Sequence, residues 1–250
     1  RDCPYRFFVQ AVLRLRAADE LEDDPDKSDY GNWLHAVLQR FHDERPATTA
    51  DAAAEAARLL ALADAQAEAM ALSAAALLPY RAALPAFAER YLAWLAAHEA
   101  AGWRYREGEV ARERALAGAG APRLHGVIDR IDTGEAGLLL LDYKTGSLGG
   151  LRSRVREPAE DTQLAFYAAL SEVEGLPLQA AYVALDERER IEVVPHPQVQ
   201  RSARLLVEQL GAEWQRLREG TPLRALGEGA VCDYCDARGL CRRDHWSGMP

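Results

Sequence analysis

A chain of 250 residues is long enough to bury one large core or two smaller ones, and 49% hydrophobic with 28% charged residues is the composition of a water-soluble globular protein. No apolar run reaches the ~18–20 residues that a membrane-spanning helix needs, so no membrane association is expected. The formal charge of −9 runs against tight autonomous binding of a polyanion, although carboxylates gathered to hold cations would produce the same sign.

The start, Arg1-Asp2-Cys3-Pro4, has neither an initiator Met nor a signal-peptide pattern, and reads as the beginning of a piece of a longer, cytoplasmic polypeptide. Phe7, Phe8, Ala11, Val12 and Leu15 fall at helical spacing and predict a helix over 3–15. After an acidic loop, 19–29, a second helix is expected to open near Gly31 and to carry Leu34, Val37, Leu38 and Phe41 on one side. An Ala-rich region to about Ala101 follows, capped by Thr49 or Asp51 and divided by Pro79 and Pro85.

The texture changes at Trp103. Strands are expected over 106–116, 124–133 and 137–144, the last two joined by a tight turn at Thr133-Gly134-Glu135-Ala136. The unbroken run Leu138–Leu141 is that of a strand covered on both faces. A helix over 159–174, strands over 179–186 and 190–194, and a last helix over 199–217 complete the order. That order predicts an α/β core behind an N-terminal helical elaboration.

The residues that carry chemistry stand on two of these strands. Gly126-Val127-Ile128-Asp129-Arg130-Ile131-Asp132 precedes Leu141-Asp142-Tyr143-Lys144-Thr145-Gly146, and a tight hairpin would set Asp129 beside Asp142. Two adjacent carboxylates make an oxygen-rich site suited to Mg²⁺ or Mn²⁺. Lys144 follows Asp142 by two residues, so strand alternation points both to one face. An ammonium there can hold the attacking water and offset phosphate charge. Asp132 reads as a turn or hairpin residue. Glu113, flanked by Arg112 and Arg114, is a further acidic candidate whose plain alternative is a solvated charge. Tyr143 stands where a phosphate-binding loop needs its second glycine, which excludes a nucleotide-driven motor in this chain.

The four cysteines are Cys3, Cys232, Cys235 and Cys241. Three lie within ten residues, a spacing for metal ligation rather than for disulfides, and Cys3 can supply a fourth thiolate. Zinc and a 4Fe–4S cluster both fit such a set, with zinc slightly ahead on the residues alone.

Four motifs occur in order: Gly31-Asn32-Trp33-Leu34-His35, Gly126 to Asp132, Asp142 to Gly146, and Gln163-Leu164-Ala165-Phe166-Tyr167. Together they resemble the motif series of RecB-like nucleases in the PD-(D/E)XK superfamily. The resemblance implies a central mixed sheet of the restriction-endonuclease-like type flanked by helices. It implies a single nuclease domain over 1–250, with a helical part at 1–102, a catalytic core at 103–220 and a Cys-rich clasp at 221–250 closing onto Cys3. Divalent metal would be held by Asp129, Asp142 and the Tyr143 carbonyl, with His35 as a further ligand. Lys144 would be the catalytic lysine, and Gln163 and Tyr167 would contact substrate or support the site.

The implied activity is hydrolysis of DNA phosphodiesters by metal-activated water, as an exonuclease. Its implied setting is a helicase–nuclease of recombination and double-strand-break repair. The implied partner is a helicase subunit, or helicase-like regions elsewhere in a longer chain. The start Cys3-Pro4-Tyr5-Arg6-Phe7-Phe8 with Cys232-x2-Cys235-x5-Cys241 looks like the iron–sulfur-stapled nuclease domains of the AddB type, which implies 4Fe–4S in place of zinc. Two other classes stand beside this one: a catalytically inactive DNA-binding scaffold, and a zinc-stapled domain that binds a basic protein partner.

Overall fold

The computed structural model describes residues 3–15, 27–46, 51–73, 75, 77–118, 120–157, 161–173, 175–185, 190–226, 232–233, 235–242 and 245–246. Two compact units divide the chain, Asp24–Ala212 and the pair Arg1–Asp23 with Glu213–Pro250.

The first unit opens with three helices, α2 (Lys27–Asp43), α3 (Ala52–Ala69) and α4 (Leu78–Ala100). Helix α2 opens at Lys27, about one turn before the expected start near Gly31, and its buried stripe runs through Trp33, Leu34, Val37, Leu38 and Phe41. Asp51 caps α3 by accepting from the Ala54 N–H, which satisfies one of the helix's orphan donors. Thr49, the alternative cap, lies outside the described residues, as does most of the acidic loop. Pro79 sits in the first turn of α4, where a missing N–H costs nothing. Pro85 does not divide the helix as expected: it lies inside α4, between the buried Leu84 and Phe87. Packing of Leu84, Phe87, Ala88, Tyr91 and Leu95 outweighs the ~3 kcal/mol that an interior proline costs.

Five strands follow the expected positions: β1 (Arg104–Ala115), β2 (Arg123–Gly134), β3 (Gly137–Lys144), β4 (Leu178–Ala184) and β5 (Glu192–Pro195). They form one mixed sheet in the order β1-β2-β3-β4-β5, antiparallel except for the parallel pair β3–β4. The parallel step is made by α5 (Leu148–Arg154), which the sequence reading did not foresee, and α6 (Thr162–Ser171), where the helix over 159–174 was expected. Helix α7 (Val199–Arg218) follows β5.

Leu139, Leu141 and Tyr143 pack with α2, α3 and α4, whereas Leu138 and Leu140 pack with α6 and the first turns of α7. Both faces of β3 are thus covered, as its continuous apolar run required. Two glycines permit this layering. Gly137 has φ +106, and a Cβ there would stand 2.1 Å from the Pro177 carbonyl oxygen. Gly126 lets α6 close on β2, since a Cβ would meet Phe166 and Leu170 at 3.0 Å.

One feature of the helix-side core departs from expectation. Asp132 is no turn residue but a fully buried member of β2, paired with Leu139 in register. Its Oδ1 accepts from Arg130 Nε at 2.7 Å and its Oδ2 from His98 at 2.6 Å. The Arg130 guanidinium, 1% exposed, lies 5.5 Å from both the Trp94 and Tyr105 ring centroids.

The second unit contains α1 (Pro4–Phe7), continued by a π-helical turn over Phe8–Val12, and α8 (Arg238–Cys241). Gln10 donates to Asp236 at 2.9 Å and Arg6 pairs with the same carboxylate at 3.7 Å, joining the two ends of the chain. No helix among the described residues is long and apolar enough to cross a membrane.

Candidate active site

The hairpin of β2 and β3 runs in register from Gly134↔Gly137 to Arg130↔Leu141. Asp129 and Asp142 come next, at the end where the backbone ladder stops. There the Tyr143 N–H donates to Asp129 Oδ2 at 2.8 Å instead of to a carbonyl. Asp142 is fully buried, and its two oxygens are divided between neighbours. Oδ1 accepts from Gln163 Nε2 at 2.7 Å, the Tyr167 hydroxyl adds a hydrogen bond to the carboxylate, and Oδ2 forms an ion pair with Lys144 Nζ. Lys144 keeps a partly exposed ammonium 5.8 Å from the Tyr182 ring centroid. Gln163 and Tyr167 reach Asp142 because Asp161 caps α6, accepting from the N–H groups of Gln163 and Leu164.

His35 arrives from α2. Its Nε2 donates to the Tyr143 carbonyl at 3.1 Å, which leaves Nδ1 at 3.5 Å from Asp129 Oδ2 and 3.6 Å from Glu109 Oε1. Glu109 was not singled out by the sequence. The pairings Gly108↔Arg130 and Val110↔Ile128 set it directly across from Asp129. Its φ of +46 lies in the left-handed region that a non-glycine residue rarely adopts within a strand. Among the described residues, ligand atoms of His35, Glu109 and Asp129 lie within 4.8 Å of one another. Glu113, the acidic residue that was singled out, lies four residues further along β1, exposed and accepting from Arg123 at 2.9 Å.

This donor set fits a hard divalent cation: carboxylates, an imidazole and a backbone carbonyl converge with too little positive charge to balance them. Burial first, and the Asp142 charge second, push the Asp129 carboxyl up to about 7. Burial also raises Asp142, more than Lys144 offsets. For His35, burial acts downward, but the Glu109 hydrogen bond and the Asp129 charge outweigh it and hold the imidazole above its usual range.

A carboxylate raised from 3.8 in an unfolded chain to about 7 makes the folded, metal-free protein bind the extra proton. Its contribution to stability therefore falls as pH rises between those two values. Wild type is expected to lose about 2 kcal/mol relative to Asp129→Asn between pH 5.5 and 8 in chelator, read from denaturant midpoints. A gap that stays constant with pH would contradict the raised carboxyl.

The four cysteines belong to the unit that joins the chain ends, and none is in a disulfide. Burial would raise the Cys3 thiol, but hydrogen bonds from the backbone of Leu226, Arg6 and Tyr5 outweigh it and favour the thiolate. Among the described residues no three cysteine sulfurs come within 4.8 Å of one another.

A stretch of 38 residues, 15% of this chain, is 40% identical to an uncharacterized protein of Rickettsia bellii (strain RML369-C), and spans 5% of that protein. The crystal structure of SSO0001 aligns with 95% of this chain and 94% of its own, at 15% identity and a TM-score of 0.34. The family model for the PD-(D/E)XK nuclease superfamily matches residues 1–242. On that match, which takes in every motif on β2, β3 and α6, the chain belongs to the PD-(D/E)XK nuclease superfamily.

Proposed function

We propose that this chain is a Mg²⁺- or Mn²⁺-dependent deoxyribonuclease that hydrolyses DNA phosphodiesters, with water as nucleophile and the 3′ oxygen as leaving group. The observation that carries this reading is the convergence of His35, Glu109, Asp129, Asp142 and Lys144 at one end of the β2–β3 hairpin. Asp129, Asp142, Glu109 and His35 would hold the metal together with the Tyr143 carbonyl. A bound divalent ion supplies Lewis acidity toward a phosphate oxygen and lowers the pKa of bound water.

The chain's own groups do the rest. Lys144, anchored by Asp142, presents an ammonium that orients a water or a phosphate oxygen and offsets developing charge. Gln163 and Tyr167 fix the Asp142 carboxylate, so it need not reorganise when substrate enters. With a net charge of −9, the chain is suited to cutting DNA delivered by a partner. Exonucleolytic action beside a helicase subunit, in double-strand-break repair, is the setting that best fits such a chain. The four cysteines would staple the unit that joins both termini, as 4Fe–4S ligands in the AddB manner or, alternatively, around zinc.

The test is degradation of end-labelled single- and double-stranded DNA with Mg²⁺ or Mn²⁺, alone and with chelator. Metal-dependent loss of label supports the reading. A folded, metal-loaded protein that binds DNA without cutting it would favour the scaffold class instead.

A further inference from the structure

On the face of the sheet opposite the carboxylates lies a buried hydrogen-bonded group that the cleavage chemistry does not use. Arg130 Nη1 donates to the hydroxyls of Tyr91 and Tyr143, each at 3.2 Å, and to His42 Nε2 at 2.8 Å. The Tyr91 and Tyr143 hydroxyls are 2.7 Å apart, and Tyr91 is 2.7 Å from His42 Nε2. Burial first, and the Arg130 charge second, hold His42 well below its usual range, which leaves Nε2 as an acceptor. Every member is at least nine-tenths buried.

The position of this group relative to the site is what matters. Arg130 directly follows Asp129, and Tyr143 directly follows Asp142. The backbone ladder between these strands ends at Arg130↔Leu141, one step short of the two carboxylates. Beyond that point, a side-chain tie between Arg130 and Tyr143 on the far face bridges the two strands. Tyr143 is then held three ways: its N–H by Asp129, its carbonyl by His35, and its hydroxyl by Arg130 and Tyr91.

We propose that the buried Arg130–Tyr91–Tyr143 tie is a positioning device for the metal site, fixing the separation of Asp129 and Asp142 where the sheet no longer does. Outer groups that orient metal ligands commonly change metal affinity about 10- to 100-fold when removed, which sets the size of the effect. The inference rests on the metal-binding reading above, and it concerns side chains, those of Arg130, Tyr91 and Tyr143, that touch neither metal nor substrate.

The experiment is titration of the metal-free protein with Mn²⁺, followed by electron paramagnetic resonance of the free ion with no DNA present. Tyr143→Phe deletes only the hydroxyl and is expected to raise the Mn²⁺ dissociation constant about tenfold. Tyr91→Phe should act in the same direction. Leu95→Val, in the same helix-side core, should lower the unfolding midpoint while leaving the dissociation constant unchanged. Unchanged affinity in Tyr143→Phe overturns the inference, and so does an equal loss in Leu95→Val, which would mark the tie as ordinary packing. Wild type that binds no Mn²⁺ overturns the metal reading itself, and the inference with it.

Discussion

Lys144→Ala and Asp142→Ala are each expected to reduce DNA cleavage by at least about 10³-fold while leaving the fold intact. The lysine is ion-paired with Asp142 and partly exposed, and in the proposed mechanism its ammonium is the group that meets an entering phosphate. Removing a single preorganised donor from a reacting oxyanion costs roughly 10²–10³ in turnover, and here the same substitution also releases Asp142 from its partner. The fold should survive because β3 is held by Leu138 to Leu141 on both faces, upstream of the site. Asp142→Ala removes a buried carboxylate that is costly to hold without metal, so its unfolding midpoint in chelator should not drop. The check is single-turnover cleavage with Mn²⁺ alongside circular dichroism. Near-full activity in either folded variant would remove Asp142 and Lys144 from the mechanism.

Asp132→Ala should have the opposite profile, with a large loss of stability and no direct role in chemistry. Burial by itself would push the Asp132 carboxyl up, but hydrogen bonds from His98 and Arg130 outweigh it and hold it below the usual range. Its alanine variant leaves the Arg130 guanidinium buried between Trp94 and Tyr105 with no carboxylate. Breaking a buried pair by deleting one partner typically costs about 3–5 kcal/mol, because the remaining charge cannot reach water. Denaturant unfolding followed by far-ultraviolet circular dichroism measures this. A loss under about 1 kcal/mol would mean that Arg130 finds another counter-charge or solvent.

These two substitutions separate residues that look alike in the sequence. Asp129 and Asp132 stand three apart in one motif, and Arg130 lies between them. Asp129 faces the site with Asp142, whereas Arg130 and Asp132 enter the helix-side core. A sequence reading that treated Asp132 as a turn residue missed this, since burial of a charged pair depends on which helix covers the strand.

What the sequence determined by itself was local. The 3.6-residue and two-residue periods placed most helices and the strands, and the tight turn expected at Thr133-Gly134-Glu135-Ala136, which the structure closes one residue later at Gly134↔Gly137, put Asp129 level with Asp142. The same two-residue period put Lys144 beside Asp142. Pattern also gave Gln163 and Tyr167 a shared helical face, on which both reach the Asp142 carboxylate. Tertiary structure decided the remainder. Glu109 sits among alternating charges on β1 with no periodic signal, and only the β1–β2 register, across a glycine-rich connection, aligns it with Asp129. His35 meets the site because α2 packs over Tyr143, 108 residues away in the chain. Pro85 stays helical for the same kind of reason. Short-range periodicity is written in neighbouring side chains, but register and the burial of charge depend on packing the whole chain achieves, which no single segment encodes.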